Sequence, residues 1–261
     1  MSAPDIVHFF DADRGKKWQI PVLWMDEMLL GVDKPPGLPV IPDRWHPEWP
    51  CLHSILEKRL GERPFVVHRL DAGTSGVMVM ARTSVAHHHL CEQFSHHQVE
   101  KTYHAVVRGE WAMQEQVIDL ALAPNPRRPG EMMVVKSGKP CRTEIRRLER
   151  FRGITSVEAR PRSGRQHQIR VHLQAAGHPL LVDPVYGDRE AFYLSSLKPR
   201  MRFAKDEEER PLISRLSLHA SSLQFVHPVS GAPQAITAEP PKDFKALLKA
   251  LRKYARGETM E

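Results

Sequence analysis

The sequence predicts an α+β protein built on a largely antiparallel β-sheet. Short apolar runs typical of strands outnumber the helical segments, and several of them follow one another across turn residues, as in β-hairpins. The chain has 261 residues, of which 41% are hydrophobic. That content is enough for the core of one large domain or two small ones.

The first third of the chain is predicted to be mainly strands. We expect residues 1–21 to be an irregular leader or an edge strand, and the main domain to span 22–261. Within that domain, strands are predicted on both sides of Asp26-Glu27 and at 77–81. Two helices are expected, one from His53 to Leu60 before Gly61 and one capped by Ser84 that runs to about His97.

The remaining two thirds alternate between strands and helices. Strands are predicted at 103–107, within 141–149 and 154–160, and in a hairpin over 217–226 and 234–238. Helices are predicted at 166–176 and at 242–255, and the second of these has a basic face opposite its apolar face. The polar stretch 188–211 is interpreted as a solvated surface insertion.

The composition favours a polyanionic partner. The formal net charge is +7, and nucleic acid is the polyanion that a basic protein most often meets. The three cysteines lie far apart, which favours a reducing compartment and argues against a disulfide framework or a structural zinc site. No signal peptide and no apolar run of membrane-spanning length is visible, so a cytoplasmic protein is expected.

A carboxylate follows a basic pair in the segment His68-Arg69-Leu70-Asp71, and a glycine-rich turn comes next. Arg69 and Asp71 are two residues apart, so their side chains point to the same side of an extended chain. A carboxylate at such a turn meets substrate while the sheet holds it in place. An aspartate in a turn also commonly accepts backbone N–H bonds, and the residues alone leave both interpretations open.

A second polar segment runs from Ser163 to His172. We expect Ser163 to cap a helix that starts near Arg165, so that Arg165, Gln166 and His167 surround an anion-binding helix start. Apolar residues at helical spacing bury one face of this helix. Because unpaired buried charges are costly, its polar side chains need partners.

Two further groups carry candidate RNA contacts. On a strand, Lys101 and Tyr103 share one face, and a tyrosine there can stack on a base, although a single tyrosine is more often a core or edge residue. Between residues 136 and 170 lie eleven basic residues and three glutamates, which predicts a positive wall that includes Arg146 and Arg147.

The histidine-rich segment 87–97 is not interpreted as a metal site. Only side chains at i, i+3 or i+4 share a helical face, which leaves little beyond the pair His87 and Cys91. We therefore predict a solvated helix here, and no metal.

Five segments, in this order, resemble the RluA-type RNA pseudouridine synthases over roughly residues 22–240. They are Asp33-Lys34-Pro35-Pro36-Gly37; His68 to Gly76; Lys101-Thr102-Tyr103; Gly164 to His172 with Gly177-His178-Pro179 and Tyr186-Gly187; and Leu218-His219-Ala220 with His227-Pro228. About 21 residues precede the match, too few for the S4 domain of many relatives. RNA selection is then expected to rest on the catalytic domain, its insertion and the basic last helix.

The resemblance implies a pseudouridine-synthase fold: a mixed, mainly antiparallel sheet in two halves, with flanking helices and an active-site cleft across it. It also implies that Asp71 is the catalytic aspartate, Tyr103 the tyrosine that stacks on the base, and Arg170 the arginine that pairs with the aspartate. Arg69 is then a candidate to fill the space that a flipped nucleotide vacates. The other expected RNA contacts are His68, Lys101, Arg165, Gln166, His167, Arg146 and Arg147.

The implied reaction isomerises a specific uridine in structured RNA, either tRNA or 23S-type rRNA, without cofactor or metal, and a monomer is expected. Asp71 acts either as nucleophile or as base. The main alternative is a non-catalytic RNA-binding module or RNA-folding helper that uses the same cleft. A nucleoside-processing hydrolase is disfavoured because no second catalytic carboxylate is evident.

Overall fold

The structure is a computed structural model that describes residues 6–44, 46–198 and 208–256. Its contacts divide the chain into two compact units. Unit 1 contains Met1–Thr102 and His219–Glu239, and unit 2 contains Tyr103–Leu218 and Pro240–Glu261. Each unit is therefore built from two separate stretches of chain.

Unit 1 is a mixed sheet with two helices. Its strands are β1 (Ile6–Asp11), β2 (Lys16–Met25), β3 (Leu29–Lys34), β4 (Phe65–Val66), β5 (Ser75–Ala81), β12 (Leu218–Val226) and β13 (Pro233–Thr237), and its helices are α1 (Leu52–Leu60) and α2 (Ser84–Ser95). The order β1-β2-β3-β5-β12 is antiparallel except for the parallel pair β5–β12, while β13 pairs with β12 and β4 with β5.

Strand β5 lies at the centre of unit 1, and all seven of its residues are buried. Its apolar run Val77–Ala81 explains this position, because a strand covered on both faces needs apolar side chains on both. Alternate residues pack with Leu90 of α2 and Phe225 of β12 in one core. Unit 1 therefore provides a rigid support for the residues just before β5.

Unit 2 is an antiparallel sheet covered by helices. It consists of β6 (Glu100–Arg108), β7 (Glu115–Asp119), β8 (Leu122–Pro124), β9 (Met132–Val134), β10 (Arg142–Phe151), β11 (Ile154–Pro161), α3 (Gln168–Ala175), a 3₁₀ turn at Leu194–Ser196 and α4 (Lys242–Tyr254). The main sheet has the order β6-β11-β10-β7, and β8 and β9 form a separate hairpin. Helix α4 buries Phe244, Leu247 and Leu251.

The α+β class predicted from the sequence is confirmed, and the structure corrects several details. Residues 6–20, within the segment 1–21 predicted as a leader or an edge strand, form β1 at the edge of the sheet and the first half of β2. Thr83, not Ser84, caps α2, because the Thr83 hydroxyl accepts the Ala86 N–H. Strands β7 to β9 were not predicted. Within 188–211, predicted as a solvated insertion, residues 199–207 lie outside the described residues. In the remainder, which includes the 3₁₀ turn, Phe192 and Leu197 are buried in the core of unit 2, so that part is not a solvated insertion.

Candidate active site

The backbone of the Asp71 loop is fixed by the segment that follows β3. The Asp71 carbonyl accepts the Thr74 N–H at 3.0 Å and closes a turn. The next carbonyl, that of Ala72, accepts the Gly37 N–H at 2.7 Å and the Lys34 ammonium at 3.0 Å. The half-buried Asp71 is thus carried on a backbone with little freedom to move.

Lys34 is fully buried and serves as a hydrogen-bonding centre. Besides Ala72, its ammonium donates to the carbonyls of Pro35 at 3.0 Å and Leu38 at 2.8 Å. A buried ammonium is tolerated only when its protons have acceptors, and these three carbonyls provide them. This lysine belongs to the segment Asp33-Lys34-Pro35-Pro36-Gly37, but the sequence did not reveal its role.

A second set of contacts joins the end of the Asp71 loop to β12. The Ser75 hydroxyl lies 2.9 Å from Nδ1 of His219, whose Nε2 lies 3.0 Å from the carbonyl of Ala238. A carbonyl only accepts, so Nε2 carries a proton, and in the neutral ring the Ser75 hydroxyl then donates to Nδ1. The histidine is fully buried and connects the loop to the hairpin.

Gly76 allows the closest approach of backbones in unit 1. Its φ is +119°, and a Cβ there would lie 2.1 Å from the carbonyl oxygen of Ala220. No residue with a side chain fits, because both the conformation and the space exclude one. The glycine after Asp71-Ala72-Gly73-Thr74-Ser75 is therefore required for the parallel pairing of β5 with β12.

His68 supports the strand behind the loop. Its Nε2 accepts the Val79 N–H at 3.1 Å, and its ring stacks on Phe94 at 4.7 Å. Burial lowers the pKa of His68 to about 3, and the charge of Lys101 acts in the same direction. His68 is therefore neutral and structurally engaged, whereas the neighbouring Arg69 is exposed.

Lys101 stands out as an unusual cation. Burial lowers its pKa to about 8. Burial thus disfavours the charged form of this lysine, which is expected from the sequence to contact RNA.

In unit 2 the buried Arg170 of α3 forms a bidentate ion pair. Its Nε lies 2.7 Å from Oδ2 of Asp183 and its Nη2 lies 2.9 Å from Oδ1. Burial by itself raises the pKa of Asp183, but the hydrogen bonds and charge of Arg170, with the N–H groups of Tyr186 and Val185, outweigh it and lower that pKa. Sequence reasoning did not identify this pair, since only the resemblance suggested a partner for Arg170. The pairing of Arg170 with Asp71 stays a prediction.

Tyr186 completes the surroundings of Arg170. The guanidinium lies 4.8 Å from the centre of the Tyr186 ring, and the phenol oxygen lies 2.8 Å from Nδ1 of His167. The same oxygen accepts the Met132 N–H at 2.7 Å. His167, an expected RNA contact, is therefore held beside the arginine by a tyrosine that sequence reasoning did not assign.

Tyr103 lies on β6, where it pairs with Ala159 of β11. It is half-buried and packs against the apolar core of unit 2. The strand thus fixes the position of its ring, as a base-stacking platform requires.

The start of α3 differs from the prediction. Its N-cap is His167, with a left-handed φ of +55° and no side-chain cap, and Ser163 instead bonds to Oε1 of Gln168 at 2.7 Å. Gln166 is exposed and donates to the carbonyl of Gly130. The Nε of Arg165 is buried and has no hydrogen-bond partner among the described residues.

The predicted positive wall is partly neutralised. On β10 and β11, Glu158 pairs with Arg146 and Arg160, and Glu144 pairs with Arg142 and Arg162. Each pair of arginines therefore keeps one uncompensated charge.

Arg147 has a structural role that the sequence did not reveal. Its guanidinium donates to the carbonyls of Trp111 at 3.0 Å and Ala112 at 2.5 Å. These bonds hold the segment before β7 and occupy donors that the prediction assigned to RNA.

Neither a metal cluster nor a membrane helix accompanies these groups in the part of the chain that the structure describes. Residues 6–44, 46–198 and 208–256 contain no group of three or more histidine, cysteine, aspartate or glutamate side chains that could hold a metal ion. In the same residues, no helix has the length and apolar character needed to cross a membrane.

The fold and these motifs define an RNA-modifying enzyme of the pseudouridine synthase class. The family model described as RNA pseudouridylate synthase matches residues 28–175, so the chain belongs to this family. It is an isomerase that forms pseudouridine.

Named relatives agree with this assignment. The chain is 39% identical over 236 residues to "Ribosomal large subunit pseudouridine synthase D" of Xanthomonas campestris pv. campestris, covering 88% of this chain and 69% of that protein. It is 37% identical over 238 residues to "Ribosomal large subunit pseudouridine synthase C" of Haemophilus influenzae, covering 88% and 68%.

A solved human structure has the same fold. "Human RNA Pseudouridylate Synthase Domain Containing 4" superimposes with a TM-score of 0.68 at 25% identity, covering 88% of this chain and 92% of that one. The pseudouridine-synthase fold implied by the resemblance is thereby confirmed.

Proposed function

We propose that this enzyme converts a specific uridine of large-subunit ribosomal RNA to pseudouridine, with Asp71 as its catalytic carboxylate. The observation that carries the proposal is the rigid support of the Asp71 loop. Lys34 and Gly37 hold Ala72, His219 holds Ser75, and Gly76 packs directly on β12. A turn aspartate with only a structural role does not need a loop fixed on both sides of it.

The reaction breaks the N1–C1′ bond of the uridine, turns the detached uracil and joins its C5 to C1′, after which C5 loses its proton. An ionised Asp71 serves either of two routes: attack on C1′ or removal of the C2′ proton. Both demand a carboxylate placed within a few tenths of an ångström of its target, and a fixed loop provides such placement.

The other roles follow the resemblance. Tyr103 stacks on the uracil, and Arg170 orients a carboxylate while its own position is set by Asp183 and Tyr186. Because a base inside a helix cannot reach such a site, the uridine leaves its stack at a cost of a few kcal/mol. The exposure of Arg69, two residues before Asp71, supports a role for this side chain in filling the vacated space.

Large-subunit ribosomal RNA is the favoured substrate. The named relatives above are ribosomal large-subunit enzymes. The sequence alone left tRNA and ribosomal RNA open. The net charge of +7 suits either polyanion, so the names of the relatives are what supports ribosomal RNA.

Tritium release from RNA labelled at C5 of uridine tests both parts of the proposal. We expect release from unmodified large-subunit ribosomal RNA and none from bulk tRNA. Asp71→Asn should abolish release and leave RNA affinity within about twofold, because the variant removes a charge that contacts only the reacting nucleotide. Asp13→Asn, an exposed residue of the β1–β2 turn, is the matched control and should retain full activity.

Two results would contradict the proposal separately. Full activity of Asp71→Asn would exclude this residue as the catalytic carboxylate. Release from tRNA alone would preserve the chemistry and refute the ribosomal substrate.

A further inference from the structure

A pocket of about 570 Å³ lies in unit 2, apart from the residues discussed so far. Its walls come from the end of β6, the β10–β11 turn, the segment after α3, the 3₁₀ turn and the end of α4. Its volume is within the range of ordinary small-ligand sites. None of the expected catalytic residues lines it, and among its described lining residues Arg152 is the only basic residue from the segment 136–170.

The rim of the pocket is basic. Arg108, Arg152 and Arg189 all line it, and the only acidic side chain that pairs with any of them among the described residues is Asp188. The Asp188 carboxylate lies 2.5 Å from Arg108 and 3.9 Å from Arg189. Three positive charges against one negative leave an excess of two, while Arg152 has no ion-pair partner in the described ranges.

The floor of the pocket is apolar. Ile154, Leu181, Phe192 and Leu197 are buried beneath the rim. Glycines at 109, 153 and 177 add backbone without side-chain bulk. An arginine rim above an apolar floor matches a nucleotide, whose phosphate is anionic and whose base is flat and apolar on its faces.

The pocket is remote from Tyr103. Arg108 is five residues further along β6, which corresponds to roughly 16 Å at the rise of a strand. A nucleotide bound here is therefore not the reacting uridine.

We propose that this pocket binds a phosphate and its adjoining nucleotide of the substrate RNA at a distance from the target uridine, and so helps to select the RNA. The inference rests on the proposed action on RNA. Of the three arginines that line the pocket, Arg152 belongs to the basic segment 136–170, whereas Arg108 and Arg189 lie outside it.

The test compares two double variants with equal loss of charge. Arg152→Ala/Arg189→Ala removes two rim charges, and Arg59→Ala/Arg63→Ala removes two exposed charges of unit 1 as the control. RNA affinity is measured over a series of salt concentrations, and tritium release is measured at saturating RNA. Thermal unfolding verifies that all variants remain folded.

Loss of the one phosphate contact lowers the magnitude of the slope of log K against log salt by roughly 0.7 to 0.9, whereas the control leaves the slope unchanged. KM rises in the pocket variant and kcat stays the same, because the chemistry occurs elsewhere. Asp188→Asn should act in the opposite direction and tighten RNA binding, since it releases Arg108 and Arg189 from a competing carboxylate.

Equal salt slopes in the two double variants would overturn the proposal, and so would weaker binding by Asp188→Asn. If the pocket bound uridine monophosphate but the double variant bound RNA as tightly as the native protein, the proposal would be overturned and the pocket would be a site for a free nucleotide. Failure of the proposed function is distinguishable, because it appears as activity in Asp71→Asn and leaves the salt slopes unaffected.

Discussion

Replacing Asp183 by Asn should destabilise the protein strongly, because it removes the carboxylate charge that faces the buried Arg170 guanidinium in a bidentate ion pair. The two side chains are 6% and 1% exposed and are joined by two hydrogen bonds of 2.7 and 2.9 Å. Asparagine keeps the shape of the side chain and can still accept the N–H groups of Val185 and Tyr186. The substitution therefore isolates the loss of charge.

The expected cost is about 3–5 kcal/mol of unfolding free energy, which is typical when one partner of a buried ion pair is removed. Glu149 pairs with Arg252 in similar geometry, but both side chains are more than a third exposed. Water screens that pair, so Glu149→Gln should cost under about 1 kcal/mol. Burial, rather than the number of hydrogen bonds, predicts the difference between the two variants.

Urea unfolding at pH 7 measures both variants directly, and the double variant Arg170→Met/Asp183→Asn completes the comparison. Because the double variant removes both charges of the pair and keeps an acceptor for the N–H groups of Val185 and Tyr186, it should be more stable than Asp183→Asn. A cost below about 1 kcal/mol for Asp183→Asn, or a double variant less stable than the single, would refute the assignment of a tight buried pair.

The pair also predicts a pH dependence. The pKa of Asp183 is lower in the folded protein, so its stabilising contribution is present above the pKa of the unfolded chain and is lost as the pH falls through the folded value. The unfolding free energy of the native protein should therefore decline below about pH 4 more steeply than that of Asp183→Asn, which has no proton to bind at this position.

Two further predictions concern unit 1. Gly76→Ala should lower the unfolding free energy by at least about 2–3 kcal/mol and abolish activity, because the new Cβ would overlap the Ala220 carbonyl at a φ that favours glycine. The control Gly61→Ala, also at positive φ but in open space, should lower it by only about 1–2 kcal/mol. Equal urea midpoints for the two variants would contradict the close approach of Gly76 to Ala220. The pKa of His68 is lower in the folded protein, so as the pH falls the unfolded chain binds this proton at a higher pH than the folded protein does. The unfolding free energy therefore has its full value above about pH 6.5 and decreases as the pH falls towards 3. In His68→Asn the urea midpoint should change less between pH 7 and pH 5 than in the native protein. An unchanged pH dependence would show that His68 is not buried in its neutral form.

Local sequence signals predicted the elements with clear boundaries. Gly61 ends α1 in the left-handed conformation, as a glycine after a helix should, and the turn after Val226 separates the two strands of the predicted hairpin. The apolar run at 77–81 predicted the buried centre of unit 1, which became β5. In each case the information lies within a few neighbouring residues.

Long-range features could not be predicted in this way. The pair Arg170–Asp183 depends on how α3 meets the next turn, and the neutralisation of Arg146 by Glu158 depends on the register of β10 against β11. Ser163 is a good capping residue by type, but its hydroxyl binds the Gln168 side chain instead of a backbone N–H. Tertiary partners decided between options that were equally good locally.

The hydrogen bond between Ser75 and His219 has a consequence for the timing of folding, since it joins residues 144 positions apart. At a synthesis rate of roughly 5–20 residues per second, the ribosome needs roughly 7 to 30 s to make the chain between them. During that interval the Asp71 loop lacks its contact with His219, although the residues of the loop have already been synthesised. The loop that carries the proposed catalytic carboxylate is therefore completed only after most of the chain has been synthesised.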